Sequence, residues 1–165
     1  IISQEAKVLM LAGGKGVDSL LPQLLGWGLN IRFVGEDVRR PSAIKILRAI
    51  LLKGIVALLF EMLAGSRRFH VEEEVLASAS EFLEGEPFVD LANMFITSTA
   101  LHAERRALEM EEVMEPLKEA GIDSIMTRSI QRVFQWVAEK NLAKTFGEVP
   151  HSYKEVLEAL LREGG

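Results

Sequence analysis

Three polar residues at the head of a long apolar run carry the first chemistry of this sequence. They are Ser42, Lys45 and Arg48, in Pro41-Ser42-Ala43-Ile44-Lys45-Ile46-Leu47-Arg48. From Ile44 to Leu63 the residues are apolar on almost every face, which is the composition of a helix buried all round. A lysine in its first turn either carries its ammonium to water along the stem or sits desolvated as a usable proton acceptor. Arg48 offers a planar fork to a carboxylate or phosphate. Lys53, two turns on from Lys45, reads as structural. A second group, His102, Arg105, Arg106 and Glu109, falls at i, i+3, i+4 and i+7 and so shares one helix face. That face is either solvated, with an Arg–Glu pair worth about a few tenths of a kcal/mol, or an anion site. Gly13-Gly14-Lys15-Gly16 after a strand invites a phosphate-loop reading. It lacks the spacing of either the dinucleotide fingerprint or the Walker lysine loop, and so reads as a tight strand-to-helix turn.

Elements must hold these residues in place. Ala6 to Ala12 is a continuous apolar run ending at the glycine turn, the pattern of a buried strand. Asp18 or Ser19 can cap a helix to about Leu25, which Gly26 and Gly28 stop. Asn30 to Val34 reads as a second strand closed by Gly35, giving a β–α–β unit whose strands can be parallel. Two strands do not make a stable sheet alone. They read as the edge of a larger sheet, and a start at Ile1 rather than Met suggests that an N-terminal portion precedes it. Residues 36–41 form a polar linker. Beyond it the spacing predicts helices from Pro41 to about Phe69, from Val71 to Leu83, and from Pro87 to about Glu119 with a kink near Pro116. Another is expected from Asp123 or Ser124 to about Ala143, and a last one from Ser152 to Arg162.

The whole chain narrows the function classes. Of its 165 residues, 48% are hydrophobic, enough for a sizeable core. A formal net charge of −5 argues against a generic nucleic-acid binder, which would present a basic face. The absence of cysteine excludes a disulfide framework and thiolate chemistry and fits a cytoplasmic location. Lys45, Lys53 and Glu61 interrupt the apolar run, which argues against a transmembrane span. Nothing in the sequence reads as a signal peptide. Trp136 and Tyr153 read as core or interface aromatics.

The segment Ser42 to Arg48, followed by Lys53-Gly54, resembles the start of the C-terminal helical domain in the β-hydroxyacid dehydrogenase superfamily, which includes 6-phosphogluconate and 3-hydroxyisobutyrate dehydrogenases. More closely, it resembles a 6-phosphogluconate-dehydrogenase-like branch of NAD(P)-dependent oxidoreductases. Residues 7–36 resemble the last strand–helix–strand of the family's Rossmann domain, through Gly13-Gly14, Leu21-Pro22 and Val34-Gly35. Residues 41–143 resemble the helical domain, including His102-Ala103-Glu104-Arg105-Arg106 and Met126-Thr127-Arg128. The resemblance implies a mainly α fold. Residues 1–40 would form the C-terminal edge of an NAD(P)-binding Rossmann domain, and residues 41–165 an all-helical domain for substrate and dimerisation.

It also implies a function. Lys45 would be the catalytic acid/base, taking the hydroxyl proton of a small hydroxyacid, phosphorylated or not, as hydride leaves for NAD or NADP in the complete enzyme. Ser42, Arg48, Arg105 and Arg106 are the substrate-binding candidates. The expected assembly is a homodimer through the helical domain, without nucleic acid, membrane or metal. The sequence departs from the family around the lysine. Arg39-Arg40-Pro41 stands where the family has a glycine-rich turn, and Arg48-Ala49 where it has an asparagine whose amide steadies lysine and substrate. The alternative is a helical dimerisation or interaction module that has kept the fold and lost the chemistry.

Overall fold

The computed structural model describes residues 8–162. Two short strands come first: β1 (Met10–Ala12) and β2 (Ile31–Phe33), joined through α1 (Val17–Gly26). They pair in parallel, with Met10 opposite Ile31 and Ala12 opposite Phe33. The pairing carries on past the strands, as the Val34 amide donates to the Ala12 carbonyl at 2.9 Å and the Gly14 amide to the Gly35 carbonyl at 3.1 Å. Six helices follow: α2 (Arg40–Phe69), α3 (Glu72–Leu83), α4 (Phe88–Glu119), α5 (Ile125–Glu139), α6 (Leu142–Phe146) and α7 (Tyr153–Leu160). The fold is therefore mainly α behind a small parallel β–α–β unit, as expected. The part of the first expected strand before Val8 lies outside the described residues. No helix among the described residues is long and apolar enough to cross a membrane.

By packing, the chain forms two compact units, residues 1–56 and 57–165, with the division falling inside the continuous helix α2. The division at residue 40 expected from family resemblance is one of ancestry, and packing does not address it. In the first unit, Gly13 shows what fixes the start of α2. A Cβ at Gly13 would come within 2.9 Å of Pro41 Cδ and 3.1 Å of the Asp37 carbonyl oxygen. Only glycine lets the turn after β1 lie against the first turn of α2.

The second unit is built on α4, which packs against α5, α6 and α7. Ala100, Ala103 and Ala107 recur at helical spacing on its buried face. Around Ala100 the core is closed by Leu142, Val156 and Leu160, with Val137, Phe146 and Ala159 against them. Two ends are tied down by side chains. Asn93 accepts the Tyr153 amide at 2.8 Å and donates to the His151 carbonyl at 3.3 Å. The Ser152 hydroxyl caps α7, as its sequence position suggested. A Cβ at Gly65 would lie 2.8 Å from Leu117 Cδ2, so the end of α2 passes close over α4.

Four expectations need correcting. The run from Ile44 to Leu63 is not buried all round: Ile50 is 66% exposed and Phe60 76%, and α2 buries only Gly65 and Ser66. Composition told what the helix can bury, not what this chain has to cover it. The irregularity of α4 falls at His102 (φ −117°, ψ 15°), while the helix runs on through Pro116, which sits in its last turn. The helix expected to reach Ala143 stops at Glu139, because Asn141 adopts a left-handed conformation (φ 51°) and starts α6 afresh. At the N-termini of α1 and α5 neither Asp18, Ser19, Asp123 nor Ser124 acts as a side-chain cap. Gly16 and Ser124 hold the cap positions without a side-chain bond.

Candidate functional site

In the first unit the polar residues of the α2 start come together. Asp37 sets the entry to the helix. Its carboxylate accepts from the Arg39 amide at 2.9 Å and pairs with the Arg39 guanidinium at 2.7 Å. The Asp37 carbonyl accepts the Arg40 amide at 3.1 Å. The guanidinium and amide of Arg39 hold the Asp37 carboxyl below its ordinary range. With the first turn fixed in this way, Ser42, Lys45 and Arg48 follow at intervals of three along α2. Together with Pro41, Leu9 and Leu11 they line one cleft of about 330 Å³. No carboxylate lines it, and neither Lys45 nor Arg48 is in an ion pair among the described residues. The cleft thus offers two cations and a hydroxyl against an aliphatic wall, a set suited to a small anion that carries an ionisable or oxidisable hydroxyl. Lys45 is exposed in this chain, so the desolvation expected of it is not supplied by its own helix. Lys53 is exposed too and does not line the cleft.

The Gly13–Gly16 turn behaves as a turn. The Gly14 amide, a group that a phosphate cradle would need, is spent on the Gly35 carbonyl. Gly14 and Gly16 take positive φ (141° and 78°), which accounts for the glycines without a ligand.

In the second unit the charged face of α4 divides. Arg105 pairs with Glu109 one turn on, both well exposed. Arg106 turns the other way, donating from Nη2 to the Ser98 hydroxyl at 2.8 Å and from Nη1 to the Thr99 hydroxyl. His102, one turn before them, is exposed. Trp136 remains 44% exposed, while Tyr153 is half-buried beside the Asn93 bond.

One residue escaped the sequence reading. Glu61, noted there only as an interruption of the apolar run, supplies the missing cap of α5. Its carboxylate accepts from the Met126 amide at 2.6 Å, the Thr127 amide at 2.8 Å and the Thr127 hydroxyl at 2.6 Å. Burial pushes its carboxyl up. The Thr127 hydroxyl and the amides of Met126, Thr127 and Ile125 outweigh that and leave it below its ordinary range. The signal was available: a lone carboxylate in an apolar helix needs donors, and a helix N-terminus provides them.

Residues 67–137 match the family described as Domain of unknown function (DUF1932). Over 133 residues the chain is 27% identical to an uncharacterized 28.5 kDa protein in the 7S RNA 5′ region of Methanothermus fervidus, covering 81% of this chain and 52% of that protein. A conserved hypothetical protein from Sinorhizobium meliloti, of solved structure, is 29% identical, with 94% of this chain and 52% of that chain covered and a TM-score of 0.44. A conserved protein of unknown function, described as structurally similar to 3-hydroxyacid dehydrogenases, is 36% identical, with 83% and 52% covered and a TM-score of 0.45. The chain spans about half the length of these relatives.

Proposed function

We propose that this DUF1932-bearing chain is the C-terminal part of an NAD(P)-dependent oxidoreductase acting on a small hydroxyacid, with Lys45 as its acid/base. The observation that carries the reading is the cleft at the α2 start, where Lys45, Arg48 and Ser42 face an aliphatic wall with no carboxylate among them. In this scheme Arg48 takes the substrate carboxylate in place of the family's asparagine. Ser42 donates to or accepts from the substrate's polar atoms. The Lys45 amine removes the hydroxyl proton as the carbinol carbon is oxidised. NAD or NADP, bound by the remainder of the enzyme, is the two-electron acceptor. The α2 face left open in this chain is covered in the complete dimer, which withdraws Lys45 from water. Residues 41–165 are the substrate and dimerisation domain.

A test is Lys45→Met in the complete enzyme. Methionine keeps the apolar stem and suits a helix, so the fold and cofactor affinity should persist. Turnover should fall by about a hundred- to ten-thousand-fold, as expected for loss of a positioned acid/base. Lys53→Met, outside the cleft, should be far milder. A Lys45 variant within about threefold of the parent, a difference under roughly 1 kcal/mol, would make Lys45 a solvent-seeking lysine. A complete protein with no turnover at all would instead favour the second reading, a helical dimerisation module without chemistry, which the exposed apolar length of α2 supports.

A further inference from the structure

We propose that the kink of α4 is an anion-binding site, in which the Arg106 guanidinium, set by the hydroxyls of Ser98 and Thr99, receives a carboxylate or phosphate group. The proposal goes beyond the functional reading and stands without it.

Three observations carry it. The first is charge. Arg39, Arg67, Arg105 and Arg128 each face a carboxylate, from Asp37, Glu72, Glu109 and Asp123. Other arginines without an ion pair among the described residues, such as Arg48 and Arg132, are exposed; Arg106 is half-buried, and its partners are the neutral oxygens of Ser98 and Thr99. Hydroxyls satisfy the geometry of a guanidinium but not its charge, and a partly desolvated cation is stabilised by an anion.

The second observation is donor capacity. A guanidinium carries five N–H groups. The two hydroxyls engage one on each Nη, so the remainder stay open to a ligand or water. Thr99 passes its own proton to the Phe95 carbonyl. Ser98 accepts from Arg106, and its proton remains to be donated. Several donors around one planar cation suit the oxygens of a carboxylate or phosphate.

The third is the backbone. Helix kinks have identifiable causes, chiefly proline, glycine or an inserted group. No proline or glycine lies in α4 before Pro116. Its helical conformation nevertheless lapses at His102, between the hydroxyl pair and the arginine that reaches back to it. The kink and the Arg106 clamp form one arrangement that holds the guanidinium in a fixed orientation, which is what a preorganised anion site requires.

The test uses the whole chain, titrated with inorganic phosphate and separately with acetate at constant ionic strength. Binding is followed by arginine Nε–Hε resonances and by calorimetry. The Arg106 resonance should shift saturably while that of Arg105 does not. Arg106→Gln should weaken binding at least about tenfold, and Arg105→Gln, which removes only an exposed pair, less than about twofold. Saturation with phosphate alone assigns a phosphate group, and saturation with acetate a carboxylate. Equal losses in both variants, parallel shifts of both resonances, or no saturation in the parent would overturn the site and leave Arg106 as a staple of the kink. Should Arg106→Gln fail to fold, the resonance titration of the parent decides alone.

Discussion

Glu61 ties α2 to the start of α5 within the second unit. Its carboxylate closes two backbone donors and one hydroxyl at the start of α5, sixty-five and sixty-six residues away in the chain. Glu61→Ala leaves those donors without their partner and should lower stability by roughly 1–3 kcal/mol, read as a drop in melting temperature. Glu61→Gln keeps an acceptor and should cost less. The sign with pH follows from the direction of its shift. The folded-state pKa is depressed, so its stabilisation is present above the unfolded value and disappears as pH falls through the folded one. Between those two values the stability of Glu61→Gln should fall less steeply on acidification than that of the parent. Parallel curves for the two would contradict the role given to this carboxylate. The sequence showed the acid but not its destination, because a cap supplied from another helix leaves no local spacing to recognise. Arg106 is similar: periodicity put it on one face with Arg105 and Glu109, and only the lapse at His102 lets it reach Ser98 and Thr99.

Among the elements, those whose signals are local were legible. The β–α–β unit showed in its apolar runs and glycine stops, and Gly13 proved to matter for contact with Pro41 as well as for the turn. Helix boundaries set by glycine or by a serine cap, as at Ser152, fell close to expectation. The break at Asn141 was missed because asparagine can enter the left-handed region without announcing it. For α2 the extent was legible and the environment was not. Apolar residues such as Ile50 and Phe60 stand open in the single chain, and exposed patches of that kind mark interfaces. The expectation is association as a dimer at tens of micromolar, and Phe60→Glu, at an exposed position with little to lose in the fold, should shift it toward monomer. Sedimentation of the parent as a clean monomer would count against this use of α2.

At the scale of the whole molecule, the two strands among the described residues are too few to hold a dinucleotide, and the Gly13–Gly16 turn spends the Gly14 amide internally. The 165-residue chain alone should therefore show no micromolar affinity for NAD or NADP by calorimetry, although the chemistry proposed for Lys45 depends on one of them. The most direct measurement of the central claim is therefore made on the complete protein: formation of reduced nicotinamide with NAD and with NADP, across a panel of small hydroxyacids with and without a phosphate. The account predicts saturable, substrate-dependent reduction of at least one cofactor by at least one hydroxyacid, abolished in Lys45→Met with the cofactor still bound. A complete protein that binds the cofactor but oxidises no member of the panel, or one whose Lys45→Met variant oxidises it as fast as the parent, would contradict it.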